Sequence, residues 1–244
     1  MKTINKIIIT TAALFTMTCS GNYLAAADII TIDSVTGTWG SIIGGQNVSG
    51  AGTNSIFWGS AGDERSGYNF QGNAPPIFPV DINTPFNLGT FTHFNEPIPV
   101  GSAITGARLT TKVDLTINGV QQQGLTFVYD FLHNETPNVA GQCPPGSVSV
   151  CDDIVALTNN TPLSDSFFVN GVNYTINVSG FMIGGSTFTQ FLTQENKTNS
   201  AILQASIASI GVAVPEPSTY LIMGSTLLLA YWFSRTQVPA KARK

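Results

Sequence analysis

Residues 108–131, RLTTKVDLTINGVQQQGLTFVYDF, decide the fold because they carry the clearest strand pattern in the chain. In the first half, apolar or threonine side chains alternate with polar ones, a period of two that is typical of a half-buried strand. Asn118-Gly119 then favours a tight turn with positive φ, and alternate apolar residues resume beyond it. The stretch therefore predicts a β-hairpin with both apolar faces turned toward one core. The core-facing positions are Leu109, Thr111, Val113, Leu115, Ile117, Leu125, Phe127, Tyr129 and Phe131.

Similar patterns recur on both sides of this hairpin. Residues 166–169 and 172–178 flank a second Asn-Gly turn at Asn170-Gly171, and alternate apolar residues over 201–207 predict a closing strand. Shorter strands are predicted near the start of this region, over 30–39, 55–58 and 86–94. No helical period interrupts them. The sequence therefore predicts an all-β domain over residues 28–213, an antiparallel β-sandwich of the jelly-roll type.

The N-terminus has the pattern of a secretory signal peptide over residues 1–27. Lys2 and Lys6 precede an apolar stretch, and an Ala-x-Ala site ends at Ala27, after which we expect cleavage. Cys19 suggests a lipoprotein acceptor instead, but residues 16–18 lack the leucine and the small residue that such a site usually has. The leader implies export through the Sec machinery and removal by signal peptidase.

The C-terminus contains an uncharged run over residues 218–234. At about 1.5 Å per residue this run covers roughly 25 Å, the short limit for a membrane span. A basic tail follows it and is expected to stay on the cytoplasmic side, which places the domain outside. The alternative is a buried core helix at the end of a globular domain. The residues of this basic stop are Arg235, Lys241, Arg243 and Lys244.

The motif Val214-Pro215-Glu216-Pro217-Ser218 stands directly before the uncharged run. Motif, short apolar span and basic end together, over residues 214–244, resemble the PEP-CTERM sorting signal of Gram-negative bacteria. The resemblance implies recognition in the inner membrane by an exosortase, a membrane cysteine transpeptidase that cuts near the motif. It also implies a species that secretes exopolysaccharide. The spread of the basic residues departs from the family pattern, because Arg235 stands alone.

Charge and cysteine content narrow the classes of partner. Between residues 28 and 214 there are thirteen Asp and Glu against four Lys and Arg, a net charge of −9. Such a domain repels nucleic acid, whereas divalent cations and neutral polysaccharides suit it better. Beyond the leader only Cys143 and Cys151 remain, and oxidising conditions favour a disulfide between them. A zinc pair would need shorter spacing and further ligands nearby.

Residues 89–98, GTFTHFNEPI, carry a second resemblance. Thr92, His93 and Asn95 match the Thr-His-x-Asn signature of the THxN family of PEP-CTERM proteins, whose domain is also called choice-of-anchor K. The resemblance implies a β-rich exported domain and brings no established activity with it. Other segments that look similar to the family pattern are 57–59, 133–138, 151–155, 174–176, 180–181 and 193–196.

The two histidines of the chain, His93 and His133, fall in the two strongest motifs. In extended backbone His93 shares a face with Asn95, and His133 shares one with Glu135. Together with Asp152 and Asp153, these side chains could bind a transition metal or, mainly through oxygen atoms, calcium. The alternative is a buried hydrogen-bond network, including Thr92, that joins neighbouring strands.

Two other functions would depend on particular residues. A hydrolase could pair His93 with Glu135 and a serine, but no Gly-x-Ser-x-Gly elbow occurs. Carboxylate pairs for glycoside hydrolysis are available in any acidic protein. Aromatic residues could stack on sugar rings if exposed, or could belong to the core. The carboxylates in question are Glu96, Asp130, Glu135 and Asp153, and the aromatic residues are Trp39, Trp58, Tyr68 and Phe70.

From these patterns the sequence predicts an exported, exosortase-processed protein of the cell envelope or extracellular matrix. We expect it to be anchored transiently in the inner membrane and then to serve a structural or adhesive role in biofilm or exopolysaccharide. No catalytic activity and no obligatory cofactor are expected. The alternative is a calcium- or glycan-binding module, and a hydrolase ranks third.

Overall fold

The computed structural model describes residues 28–62, 64–73, 78–210 and 226–229 of the chain. The predicted signal peptide (1–27), the sorting motif (214–218) and the basic stop all lie outside these residues. Of the uncharged C-terminal run, only 226–229 is described, as a short helical segment. Within the described residues, no helix combines the length and apolar character needed to cross a membrane.

Residues 28–210, where described, form an all-β structure with a single 3-10 turn at Thr161–Leu163 between two of the strands. Most of these strands alternate between buried and more exposed side chains, the pattern of a sheet with one face toward a core. In chain order the strands are β1 (Ile30–Gly44), β2 (Ser55–Gly59), β3 (Arg65–Gly72), β4 (Phe78–Val80), β5 (Phe86–Asn95), β6 (Ile104–Ile117), β7 (Val120–Asn134), β8 (Asp153–Asn159), β9 (Phe167–Val169), β10 (Val172–Ile183), β11 (Ser186–Phe188), β12 (Gln190–Thr193) and β13 (Lys197–Ile210).

These strands form two sheets, and every pairing is antiparallel. The first sheet has the order β12-β8-β7-β6-β1-β4. The second has the order β11-β10-β13-β5-β3-β2, with β9 beside β10. Register shifts in the long pairs β1–β6, β6–β7, β10–β13 and β5–β13 mark bulges, which bend a strand and increase its twist.

Both predicted hairpins are present. Ile117 pairs with Val120 across the first turn, and the φ angles of Asn118 and Gly119 are 51° and 81°. Val169 pairs with Val172 across the second turn, where Asn170 and Gly171 also have positive φ angles. The Asn-Gly pairs supply the backbone conformation that a two-residue hairpin needs, which is why their positions were predictable.

The strand order differs from that of the predicted jelly roll. β6, β7 and β8 are successive neighbours in one sheet. A jelly roll is instead built from Greek keys, in which a long connection returns a strand beside the first of the group. The two-residue turn between β6 and β7 holds these strands together in the first sheet, so β6, β7 and β8 form a meander. The all-β, antiparallel class is confirmed, and the two sheets are arranged in a sandwich-like way.

The two sheets share one hydrophobic core, which includes most of the predicted inward-facing residues. Its centre is aromatic: Trp39 and Phe131 of the first sheet meet Tyr68 and Phe91 of the second. The ring centroids are 4.9 Å apart for Trp39–Phe131 and for Tyr68–Phe91, and 5.3 Å apart for Phe91–Phe131. At one end of this aromatic centre the core becomes polar, and the candidate site lies there.

Candidate functional site

Strand ends from both sheets meet around the two histidines. His93 lies near the end of β5 in the second sheet, and His133 lies near the end of β7 in the first. Their ring centroids are 5.3 Å apart and the rings are almost perpendicular. Asp153 begins β8 and pairs in register with Thr193, the last residue of β12. The sheets therefore bring both histidines and an aspartate together between them.

His93 is completely buried, and only one of its ring nitrogens has a hydrogen-bond partner. Its Nδ1 is 2.8 Å from the Thr193 hydroxyl, which itself donates to the Asp153 carbonyl oxygen at 3.4 Å. A threonine hydroxyl has one hydrogen, so it accepts from His93 Nδ1–H. The Nε2 atom of His93 is left with a buried lone pair and no donor. Burial, together with His133 nearby, holds the pKa of His93 well below its usual value, so the ring is neutral.

His133 uses both of its ring nitrogens. Nδ1 is 2.7 Å from the Tyr68 hydroxyl, and Nε2 is 3.3 Å from Glu135 Oε2. Because a tyrosine hydroxyl donates readily, His133 accepts at Nδ1 and donates from Nε2 to the carboxylate. Burial lowers the pKa of His133 to about 4, so this ring is also neutral near pH 7.

Three carboxyl groups complete this polar end of the core. Asp153 Oδ1 accepts from the Thr136 backbone N–H at 2.8 Å and from its hydroxyl at 3.3 Å, while Oδ2 is buried without a partner. Both carboxyl oxygens of Glu195 are likewise buried without a partner at hydrogen-bond geometry, although the Asn138 and Asn95 amides are near enough to lower its pKa slightly against burial. Among the described residues, none of the three carboxyl groups forms an ion pair with a lysine or arginine. We refer to His93, His133, Glu135, Asp153 and Glu195 as the buried cluster.

The carboxyl groups of the buried cluster titrate far from their ordinary range. Burial raises the pKa of Asp153 to about 7, and the neighbouring Glu135 adds to the shift. Burial also raises the pKa of Glu135 and of Glu195 to about 7. Like charges held close together in a dry environment resist ionising together. The buried cluster therefore requires either protons or a cation near neutral pH.

The THxN motif is divided between two surroundings. His93 and Asn95 point into the core, where Asn95 Nδ2 donates to the Thr193 carbonyl oxygen at 3.0 Å and Oδ1 has no donor. Thr92 points to the opposite side of the strand, where its hydroxyl is 2.9 Å from that of Ser200 on an exposed face. Alternate side chains of a strand face opposite ways, so Thr92 takes no part in the predicted network.

The disulfide predicted between Cys143 and Cys151 is present and closes a short loop before β8. Asp152 directly follows this loop and is not part of the buried cluster. Its carboxylate accepts from the Val148 and Ser149 backbone N–H groups at 3.0 and 2.8 Å. These hydrogen bonds lower the pKa of Asp152 against the effect of burial. Asp152 is therefore not among the residues that the structure brings together around the two histidines.

Two surface depressions reach the buried cluster. A groove of ≈ 510 Å³ is lined by His133, Glu135 and Thr136 among others, and a smaller one of ≈ 320 Å³ is lined by Glu195. His93 lines neither of them. His93 is 0% exposed, so its ring has no contact with solvent.

The aromatic residues that could have stacked on sugar rings belong to the core. Trp39, Trp58, Tyr68 and Phe70 are all at most 1% exposed. Two of them support the buried cluster: Tyr68 contacts His133, and the ring of Trp58 lies 6.0 Å from that of His93 in a stacked arrangement. None of the four offers a face to a glycan.

Sequence reasoning missed Glu195, Thr193 and the hydroxyl of Tyr68 as parts of this site. The sequence does contain a signal for Glu195 and Thr193. Thr193-x-Glu195 repeats the spacing of His93-x-Asn95 and His133-x-Glu135, so that polar residues two apart share one face at three strand ends. No comparable signal distinguishes Tyr68 from the other aromatic residues of the core.

Comparison with known proteins adds no assignment to this geometry. No protein-family model matches the chain, and no curated protein matches it.

Proposed function

We propose that this chain is an exported, non-catalytic protein of the cell envelope or extracellular matrix, with a structural or adhesive role among exopolysaccharides. A signal peptide over 1–27 directs it to the Sec machinery and signal peptidase. A short transmembrane helix within 214–244 then holds it in the inner membrane until an exosortase cuts near Pro215-Glu216-Pro217. The resemblance to THxN-type PEP-CTERM proteins belongs to the same proposal.

One observation carries the proposal: a sandwich-like β-domain with a disulfide stands between two terminal sequences that have the pattern of export addresses. Disulfides persist in oxidising compartments outside the cytoplasm. The net charge of −9 over residues 28–214 suits a soluble domain surrounded by neutral polymers and divalent ions. The closed aromatic core supports a structural role, because it leaves no open cleft at His93.

Mass spectrometry of both ends of the native protein tests the proposal. We expect an N-terminus at Asp28 and a C-terminus near Pro217. Glu216→Ala should leave uncut protein in the inner membrane, whereas Glu96→Ala changes another Glu-Pro pair within the domain and should leave processing intact. Mature extracellular protein that still ends at Lys244 would contradict processing by exosortase.

A divalent-cation-binding module, such as a calcium module, is the second candidate. The observation that favours it is the buried cluster, in which three carboxyl groups converge without a lysine or arginine. Elemental analysis of the exported protein, purified without chelator, tests this candidate. One equivalent of a divalent cation that survives gel filtration is expected, and metal-free protein at millimolar calcium and zinc would remove the candidate.

A further inference from the structure

We infer that the buried cluster is a binding site for one first-row transition-metal ion, with zinc as the reference ion, held by His93, His133 and Asp153. Glu135 is placed to take the fourth position. The inference deepens the cation-binding candidate by naming the ligands and the class of metal. It does not depend on export or on exosortase processing.

The first argument is the direction of the lone pairs. His93 Nδ1–H is held by the Thr193 hydroxyl, so Nε2 presents its lone pair to the interior and finds no donor. Asp153 is held in the same manner, with Oδ1 bound by Thr136 and Oδ2 unpartnered. A metal-binding histidine usually donates its other ring N–H to a fixed acceptor, which orients the ring. His93 already has that arrangement.

The second argument is the imbalance between donors and acceptors. Unpartnered buried acceptors in this part of the core include His93 Nε2, Asn95 Oδ1, Asp153 Oδ2 and both oxygens of Glu195. A buried polar group without a partner costs roughly 1–3 kcal/mol, so several adjacent ones are costly to the fold. A cation satisfies several acceptors at once, whereas without one the remaining donors must come from protonated carboxyl groups and from the Asn95 and Asn138 amides.

The third argument is the type of ligand atom. One atom from each of His93, His133 and Asp153 lies within 4.8 Å of the other two, and all three residues are buried. Imidazole nitrogen suits zinc, copper, iron and nickel, whereas calcium takes six to eight oxygen atoms. A site with two histidines and a carboxylate therefore favours a transition metal.

Closing the site requires small movements only. Ligands of a tetrahedral zinc ion at about 2.1 Å are roughly 3.4 Å from one another, so the side chains converge by about 1 Å. At His133 the proton must leave Nε2. The neutral ring does this by changing tautomer: Nδ1–H then donates to the Tyr68 oxygen, and Nε2 turns its lone pair to the ion. The groove that exposes part of Glu135 gives the ion a route inward.

Zinc titration of the exported protein, after treatment with chelator and dialysis, tests the site. We expect one zinc ion per chain with a Kd below about 1 μM. His93→Gln and Asp153→Asn should each raise the Kd at least about 100-fold, since even residues behind the ligands contribute 10- to 100-fold. Asp153→Asn keeps the Oδ1 acceptor for Thr136, which protects the fold. Asp152→Asn is the matched control and should change the Kd less than about 3-fold.

Copper(II) electron paramagnetic resonance gives a readout that folding alone does not move. Hyperfine splitting from two nitrogens is expected in the unaltered protein and in Asp152→Asn. Its reduction to the splitting of one nitrogen in His93→Gln supports the ligand set, provided circular dichroism shows a folded variant. Zinc binding that His93→Gln leaves unchanged overturns the ligand set. Calcium binding without zinc binding overturns the inference but preserves the cation-binding candidate. Absence of any bound divalent cation overturns both.

Discussion

Asp130 and Asp153 lie on neighbouring strands of the same sheet, β7 and β8, yet their surroundings are opposite. Asp130 faces outward, where its carboxylate oxygens are 2.7 and 3.3 Å from the Arg108 guanidinium and one also accepts from Asn160. The hydrogen bond from Arg108 lowers the pKa of Asp130. Asp153 is fully buried, has carboxyl neighbours in place of a cation, and has a pKa raised to about 7.

The difference teaches which polar groups this fold depends on. A half-exposed ion pair is screened by water and salt, and pairs of this type contribute about 0–1 kcal/mol. A buried polar group has no water to replace a lost partner, so each change there has a large effect. Asp153 is therefore a better candidate for a functional residue than Asp130, because burying a carboxyl group without a cationic partner lowers stability.

The largest expected effect comes from truncating the two aspartates. Asp153→Ala removes the acceptor for Thr136 and one proposed ligand, and we expect a loss of about 3 kcal/mol in the free energy of unfolding. Asp130→Ala should cost less than about 1 kcal/mol. Urea unfolding of both variants measures the contrast. Equal losses would mean that burial does not distinguish the two sites.

Removing the proposed ion should have the next largest effect. A ligand present at 100 times its Kd stabilises the folded state by about 2.7 kcal/mol, and chelator should remove that amount from the zinc-loaded protein. His93→Gln should already lack this response. Thermal unfolding with zinc and with chelator measures this difference. If chelator destabilised the variant as much as the unaltered protein, His93 would not be a ligand.

The pH dependence of the metal-free protein should separate the same two sites. The carboxyl groups of the buried cluster have pKa values of about 7 in the folded protein, above their values in the unfolded chain. Their contribution to the free energy of unfolding is therefore lost as pH rises through 7. The contribution of His133, whose pKa is lowered, is lost as pH falls from 6.5 through about 4, and is constant above that range. Between pH 6.5 and 8.5 we therefore expect the free energy of unfolding to decrease by on the order of 2 kcal/mol.

Urea unfolding in chelator at the two pH values measures this decrease. The double variant Glu135→Gln, Glu195→Gln should show a much smaller decrease, because two of the titrating groups are gone. Asp130→Asn is the control and should keep the slope. A flat profile in the unaltered protein would contradict the raised carboxyl pKa values.

A smaller effect is expected from the tyrosine that holds His133. Tyr68→Phe deletes the hydroxyl that is 2.7 Å from Nδ1, at a cost of about 1 kcal/mol in stability and about 10-fold in zinc affinity. Tyr174→Phe is matched, since its hydroxyl donates to Asp28 at 2.7 Å and not to a member of the buried cluster. That variant should bind zinc normally, and equal affinity losses would show that the orientation of His133 is irrelevant.

The smallest effect is expected at the outward-facing pair. A double-mutant cycle on Arg108→Ala and Asp130→Ala should give a coupling below about 1 kcal/mol at 0.1 M salt. At 1 M salt the Debye length falls from about 10 to 3 Å, and the coupling should shrink further. A coupling that persists in high salt would indicate that this pair is less exposed to solvent than its position implies.

The sequence was sufficient for local features of the fold. Alternation over 108–131 and the Asn-Gly turns determined two hairpins, because both signals act between residues close in the chain. The order of strands was not predictable in this way. Whether β5 pairs with β13 or with another strand depends on contacts made across about a hundred residues, and no local pattern encodes them.

The site was predictable in part for the same reason. His93, His133 and Glu135 were selected because alternate residues share a face, and the structure brings them together. Asp152 and Asp153 are adjacent, so an extended backbone turns them opposite ways and only one can join the cluster. Glu195 belongs to a strand connection more than forty residues further along, and only the assembled sheets bring it to Asp153.

The short loop closed by Cys143 and Cys151 links the redox state of the compartment to the site. Thr136 bridges them: its hydroxyl donates to the Cys151 carbonyl oxygen at 3.1 Å, and its backbone N–H holds Asp153. With the two thiols reduced, Asp153 keeps its pairing in β8 and its hydrogen bond from Thr136 but loses the covalent closure of the preceding loop. Under the proposed export, the disulfide would form only in an oxidising compartment, so this covalent support beside Asp153 would be added after the chain leaves the cytoplasm.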